Sequence, residues 1–121
     1  LYTVGWQKDS DGLDYIVLDI RECETKEFSK MLEDSGSLIR KMPPKSVLLL
    51  ALVSGKTPIF TDMEGFQKYL KQNQPYMKAS AAAIMDPLRK AMFEGVVALS
   101  KRAIKVTSTI EEALDYLKSV K

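Results

Sequence analysis

The chain has 121 residues, a formal net charge of +2, 45% hydrophobic and 28% charged residues, one cysteine and no histidine. This is the composition of a single soluble domain, residues 1–121, long enough to remove about two thirds of its unfolded surface from water without metal or disulfide staples. It excludes a mainly disordered chain, an intrachain disulfide framework and a membrane-spanning helix, which needs about 20 apolar residues in a row. In chain order, Tyr2, Val4 and Trp6 alternate, a dense turn follows at residues 8–12, and residues 13–20 place Ile16, Leu18 and Ile20 on one face. Two short strands around a Gly-containing loop predict a hairpin. From Thr25 the period changes: Phe28, Met31, Leu32, Ser35, Leu38, Ile39 and Met42 step by three or four, as on one face of a helix. Gly36 lies inside that pattern, and Pro43-Pro44 stops it.

Residues 46–53 are apolar on both faces, the habit of a parallel strand covered on each side. Residues 54–60 read as a loop, and Thr61-Asp62 opens a helix with Met63, Phe66 and Leu70 on its stripe, ended by Asn73-Gln74-Pro75. Residues 78–85 are rich in alanine, a poor strand former taken alone. Asp86-Pro87 announces a new helix directly after them, so a buried strand of small side chains is expected there. The next helix runs from Pro87 to about Ser100, with Leu88, Ala91, Met92, Gly95, Val96 and Leu99 on one face. A short strand at residues 103–107 and a last helix, opened by Ser108 and Glu111 at capping-box spacing, complete the chain.

The order is β-β-α-β-α-β-α-β-α. Alternation of this kind predicts an α/β fold: a mixed five-stranded, mostly parallel sheet with helices on both faces. The loop beyond the third strand then falls at the sheet edge where open α/β sheets bind. Ser54, Lys56, Thr57 and Thr61 are the candidate site residues there. Phe93 and Val97 fall on the side of their helix opposite the Leu88 stripe. They are expected either under a neighbouring helix or in a homodimer or partner interface.

The absence of histidine removes the triads and zinc sites that depend on imidazole. Asp19, Glu22, Glu24 and Glu27 cluster where a strand gives way to a helix, and a solvated turn explains them better than a metal site. Cys23 sits among carboxylates that favour the thiol over the thiolate, so it reads as packed and inert. Ser54-Gly55-Lys56-Thr57 resembles the tail of a phosphate-binding loop. Leu50 stands where that motif needs glycine, however, and Pro58 interrupts the helix that should start at the lysine. No catalytic residue, cofactor or metal is expected, and no enzymatic activity.

Lys78-Ala-Ser-Ala-Ala-Ala-Ile84, the segment from Leu99 to Val106 and the segment from Thr109 to Leu117, in this element order, resemble the bacterial STAS-like domains. That fold is shared by anti-sigma-factor antagonists and the cytoplasmic tails of sulphate transporters. A subgroup likened to CRAL-TRIO lipid-binding domains is similar as well. The resemblance implies a non-enzymatic bacterial regulatory or protein-interaction module, with a small apolar-ligand or lipid-binding domain as the alternative. The family's phosphorylatable serine occupies a turn after the third strand. Here that turn reads Val53-Ser54-Gly55-Lys56, a Ser-Gly without the acidic residue or second serine, and an ordinary turn is the better reading.

Charge is divided along the chain: residues 1–34 carry net −5 and residues 35–121 net +7. Arg89-Lys90, Lys101-Arg102 and Lys105 could line a basic edge, but the interleaved aromatics of single-strand binders are missing, so nucleic acid is not the expected partner. The six methionines are read as core packing, with an apolar-ligand cavity as the other use. The lone cysteine and the lack of a signal-peptide pattern point to the cytoplasm, and the start at Leu1 implies that an initiator segment precedes it.

Overall fold

The computed structural model describes residues 1–100 and 104–120, with backbone alone for Phe60, Thr61, Leu99 and Ser100. Lys101-Arg102 lies outside the described residues. Five strands form one sheet in sequential order: β1 (Thr3–Lys8), β2 (Asp14–Asp19), β3 (Val47–Val53), β4 (Met77–Ile84) and β5 (Ile104–Thr107). β1 and β2 pair antiparallel, Trp6 opposite Ile16, and every later neighbour is parallel. The hairpin turn uses Gly12 at φ +83°, a left-handed conformation that costs glycine no Cβ clash.

The helices are α1 (Phe28–Ile39), α2 (Met63–Asn73), α3 (Pro87–Ser100) and α4 (Ile110–Ser119). A sequential parallel order moves each crossover the same way across the sheet. Crossovers of one hand therefore place their helices on one face. That is the arrangement here: Phe28, Met31 and Ile39 of α1, Phe66 and Tyr69 of α2, and Phe93 and Val96 of α3 share a core with Ile16, Leu18, Leu49 and Ile84. The other face is left to α4, whose Ala113 and Leu117 pack on Tyr15, Leu48, Leu50 and Leu52. Successive β3 residues thus enter opposite cores, which is why the strand is apolar throughout.

β4 confirms the alanine strand. Ala79, Ala81 and Ala83 face α4, and their small side chains let that helix approach closely. Two helix starts carry the predicted chemistry. The Asp86 carboxylate accepts from the Leu88 N–H at 3.0 Å and the Arg89 N–H at 3.4 Å. The cap of α4 lies one residue beyond the predicted Ser108: Thr109 Oγ1 accepts from the Glu112 N–H at 3.1 Å and donates to the Glu112 carboxylate at 3.0 Å. Between α1 and α2, Ser35 Oγ donates to the Met31 carbonyl at 2.8 Å, and the Tyr69 hydroxyl lies 2.9 Å from that oxygen, so Tyr69 is the donor. Burial pushes the Tyr69 phenol up to about 12.

Candidate functional site

β2, β3 and β4 end side by side, and their following loops form one edge of the molecule. Ser54, Lys56 and Thr57 come together there in a single turn after β3. Their hydroxyls are committed inward. Ser54 Oγ donates to the Arg21 carbonyl at 2.6 Å and accepts from the Lys56 N–H at 3.2 Å. Thr57 Oγ1 donates to the Ile20 carbonyl at 2.7 Å and accepts from the Ser54 N–H at 3.1 Å. The two side chains brace this turn against the end of β2, and Thr57 is buried. Neither hydroxyl is presented to a ligand, and a phosphoryl group on Ser54 would cost the bond to Arg21. Thr61 ends the short turn of 3-10 helix Pro58–Thr61, and its side chain lies outside the described residues.

Charged groups surround the turn. Arg21 forks onto Asp19, Nε to Oδ1 at 3.0 Å and Nη2 to Oδ2 at 2.7 Å. The guanidinium holds the Asp19 carboxyl below the usual carboxylate range. Lys56 is exposed, with Nζ 3.6 Å from Glu22, a pair too open to water to fix the side chain. Gly55 packs on the start of α3, where a Cβ would stand 3.3 Å from Asp86 Oδ2 and 3.7 Å from Arg89. A cleft of about 210 Å³ opens here, between Arg21, Ser54, Gly55, Met85, Asp86 and Ile110.

The face assigned to α3 is corrected. Phe93 is 3% exposed and Val97 is buried; with Val96 they turn toward the core, not toward solvent. The Phe93 ring lies 6.0 Å from that of Phe66 on α2, so an adjacent helix covers it. Leu88 and Met92, placed against the sheet by periodicity, are 67% and 39% exposed. Met85, expected in the strand, follows it at 65% exposure. The reason is geometric. Leu88 sits in the first turn of α3, beyond the end of β4, while apolar residues so nearly encircle the helix that period alone does not choose a side. Met85 and Met92 therefore do not pack the core; with Leu88 they are exposed at and just after the β4–α3 junction, Met85 lining the cleft with Arg21 and Met92 Sδ lying 3.8 Å from Arg89 Nη1.

Sequence reasoning missed Arg21, Met85, Leu88, Arg89 and Met92 as members of this edge. Asp86-Pro87 was the available signal, since a cap directly after a strand puts the first helical turn on the binding edge. Of the residues that could line a basic edge, Arg89 and Lys90 begin α3, Lys90 pairs with Glu94 at 3.8 Å, and Lys105 lies within β5. Cys23 is buried, and burial with the nearby Glu27 carboxylate pushes its thiol up. The apolar space between the sheet and α1–α3 holds about 50 Å³, far below the ~300 Å³ at which small-molecule sites begin. No helix among the described residues is long and apolar enough to cross a membrane.

The sheet order and the layered helices define the class: an α/β module with one antiparallel hairpin strand and sequential parallel crossovers. A crystal structure of an uncharacterized DUF3478-family protein from Shewanella loihica PV-4, described as having a SpoIIAA-like fold, is similar to this chain. It superposes with a TM-score of 0.68 at 13% identity, covering 97% of this chain and 95% of that one. This chain therefore has a SpoIIAA-like fold. No protein-family model and no curated protein matches the sequence.

Proposed function

We propose that the chain is a non-enzymatic regulatory module that binds a protein partner through the edge formed by the β3–α2 turn and the β4–α3 junction. One observation carries this reading: Met85, Leu88 and Met92 are all exposed at and just after the β4–α3 junction, where Arg21 shares the cleft with Met85 and Arg89 Nη1 lies 3.8 Å from Met92 Sδ. A soluble domain gains nothing from grouping large apolar side chains in water, and adaptable methionines with arginine at the rim are frequent at protein interfaces. The Ser54 and Thr57 hydroxyls support the reading by holding the edge rigid, which lowers the ordering cost of binding. The SpoIIAA-like fold is consistent with such a role, although fold alone assigns none.

The test is photocrosslinking in the host cell. A benzophenone side chain at position 88 should give one discrete adduct, and the same group at position 71, on the opposite edge, should give none. The Leu88→Asp/Met92→Asp double variant should abolish the complex with the circular dichroism spectrum unchanged. Equal adducts from both positions, or a complex that survives the double variant, would exclude this edge.

A further inference from the structure

The opposite edge of the sheet, where β3 and β4 begin and α1 and α2 end, is basic. Arg40 is the C-cap of α1 and Lys41 follows it, Lys45 stands in the turn before β3, Lys71 lies in the last turn of α2, and Lys78 is in the first turn of chain of β4. All five are exposed. Bonds between these segments bring them together. Arg40 Nη1 donates to Asn73 Oδ1 at 3.0 Å, which joins the ends of α1 and α2. The Lys45 N–H donates to the Pro75 carbonyl at 3.0 Å and the Ser46 N–H to the Tyr76 carbonyl at 3.1 Å, which joins the turn before β3 to the approach to β4. Ala79, Ala81 and Ala83 face α4, so Lys78 lies by alternation on the side of α1 and α2.

The edge has no carboxylates to answer these cations. The chain has no Asp or Glu between residues 35 and 61 or between 65 and 85. Among the described residues, no carboxylate forms an ion pair with Arg40, Lys41, Lys45, Lys71 or Lys78. Asp9, Asp11 and Asp14 of the first hairpin are matched by Lys118 and Lys8. The C-terminal dipoles of α1 and α2 account for about half a negative charge each, so complementing two helix ends does not explain five cations. Lys45 adopts φ +54°, where a lysine stands in a left-handed conformation that glycine would adopt without strain.

The chemistry of the edge selects among anionic partners. Four of the five cations are lysines, point charges without the fork that grips a single carboxylate or phosphate. Both helices arrive by their C-termini, so no cradle of N–H groups holds one bound anion. Among the described residues, the large exposed apolar side chains are Leu1, Trp6, Met85, Leu88 and Met92, none of them in these segments. Nothing here inserts into a bilayer, and stable membrane anchoring takes more than charge. A flexible acidic peptide must be ordered in return for exposed ion pairs that each contribute little. A nucleic-acid duplex arrives rigid, carries one charge per about 1.7 Å of its axis and gives up condensed counterions on binding. Its bases stay stacked, so it needs none of the aromatic platforms that single strands use. RNA duplexes are told from DNA through their 2′-hydroxyls, which point charges do not read.

We propose that the edge formed by Arg40, Lys41, Lys45, Lys71 and Lys78 docks on the phosphate backbone of double-stranded DNA without reading its sequence. The surface is separate from the partner edge at the other end of the strands, which stays open in the complex.

Fluorescence anisotropy of a short labelled DNA duplex, titrated with the full chain at several salt concentrations, tests this. Saturable binding is expected at low salt, with log affinity falling against log salt at a slope of about −2.7 to −4.5, three to five phosphates at about 0.9 each. The Lys41→Gln/Lys71→Gln/Lys78→Gln triple variant should bind at least ten-fold more weakly with the circular dichroism spectrum unchanged. Should it fail to fold, Lys71→Gln and Lys78→Gln carry the test singly, each flattening the slope by about 0.9. Lys26→Gln, beyond the other end of the strands, should bind as the parent does. The proposal is overturned by the absence of saturable binding, by an unchanged slope in both single variants, or by an equal loss in Lys26→Gln. It is overturned as well if single-stranded DNA, an RNA duplex, poly-glutamate or phosphatidylglycerol vesicles bind more tightly than the duplex.

Discussion

Thr57 shows how a residue chosen for its chemistry can serve architecture. Its hydroxyl both donates to Ile20 and accepts from the Ser54 N–H. Thr57→Val keeps the shape but strands that part-buried N–H, and should cost about 1–3 kcal/mol. Thr57→Ser keeps the hydroxyl and should cost less than about 1 kcal/mol. Urea midpoints of the two variants check this, and equal losses would mean that the methyl group, not the hydrogen bonds, holds the turn. Sequence located Ser54, Lys56 and Thr57 on the correct edge because the end of an apolar strand is easily read. Which way their hydroxyls point was not legible. That depends on the carbonyls of Ile20 and Arg21, more than 30 residues away in the chain.

At the scale of elements, the strands were legible and one helix face was not. β3 announced itself by apolar residues on both faces, and β4 by the cap at Asp86 that left no length for another helix. α3 carried two plausible stripes. Phe93 won the core, with Val96 and Val97 in the same cluster, because α2 offers it Phe66, a tertiary fact with no local signature. Gly36 in α1 is a related case. Helix propensity alone makes Gly36→Ala stabilising by about 1 kcal/mol. The added Cβ, however, would stand 2.6 Å from Arg40 Nη1, the group that satisfies buried Asn73. Displacing the guanidinium costs about 1.5–3 kcal/mol for a charged hydrogen bond. Gly36→Ala should therefore lower the melting temperature in the parent chain and raise it in an Arg40→Ala background. Stabilisation in both backgrounds would show that Arg40 moves aside freely.

The whole molecule is held at its periphery by carboxylates that must stay ionised. Asp9 accepts the Leu13 and Asp11 N–H groups at 2.9 Å each and pairs with Lys118 of α4 at 3.2 Å. Asp19 is gripped by Arg21, and Asp34 accepts from the Tyr2 hydroxyl at 2.6 Å. These bonds hold all three carboxyls below their ordinary values. Their stabilisation is complete above about pH 4, the unfolded aspartate range, and disappears as the pH falls through the lower folded values. Urea midpoints should therefore be flat from pH 7 to 5 and fall below pH 4. Asp9→Asn and Asp19→Asn should each make that fall shallower. A midpoint that rises on acidification would contradict the sign of all three shifts.

The unequal division of helices between the two faces bears on how the chain is made. On a ribosome, β1 to β5 and the three crossover helices emerge before α4, so one side of the sheet can be roofed while synthesis continues. The other side, with Leu48, Leu50 and Leu52, waits for Ala113 and Leu117. When α4 docks, Lys118 reaches back to Asp9 and Asp11 in the first hairpin. The helix α4 thus clasps the first turn, and the nascent chain carries a sticky, half-finished sheet until residues 110–119 clear the exit tunnel.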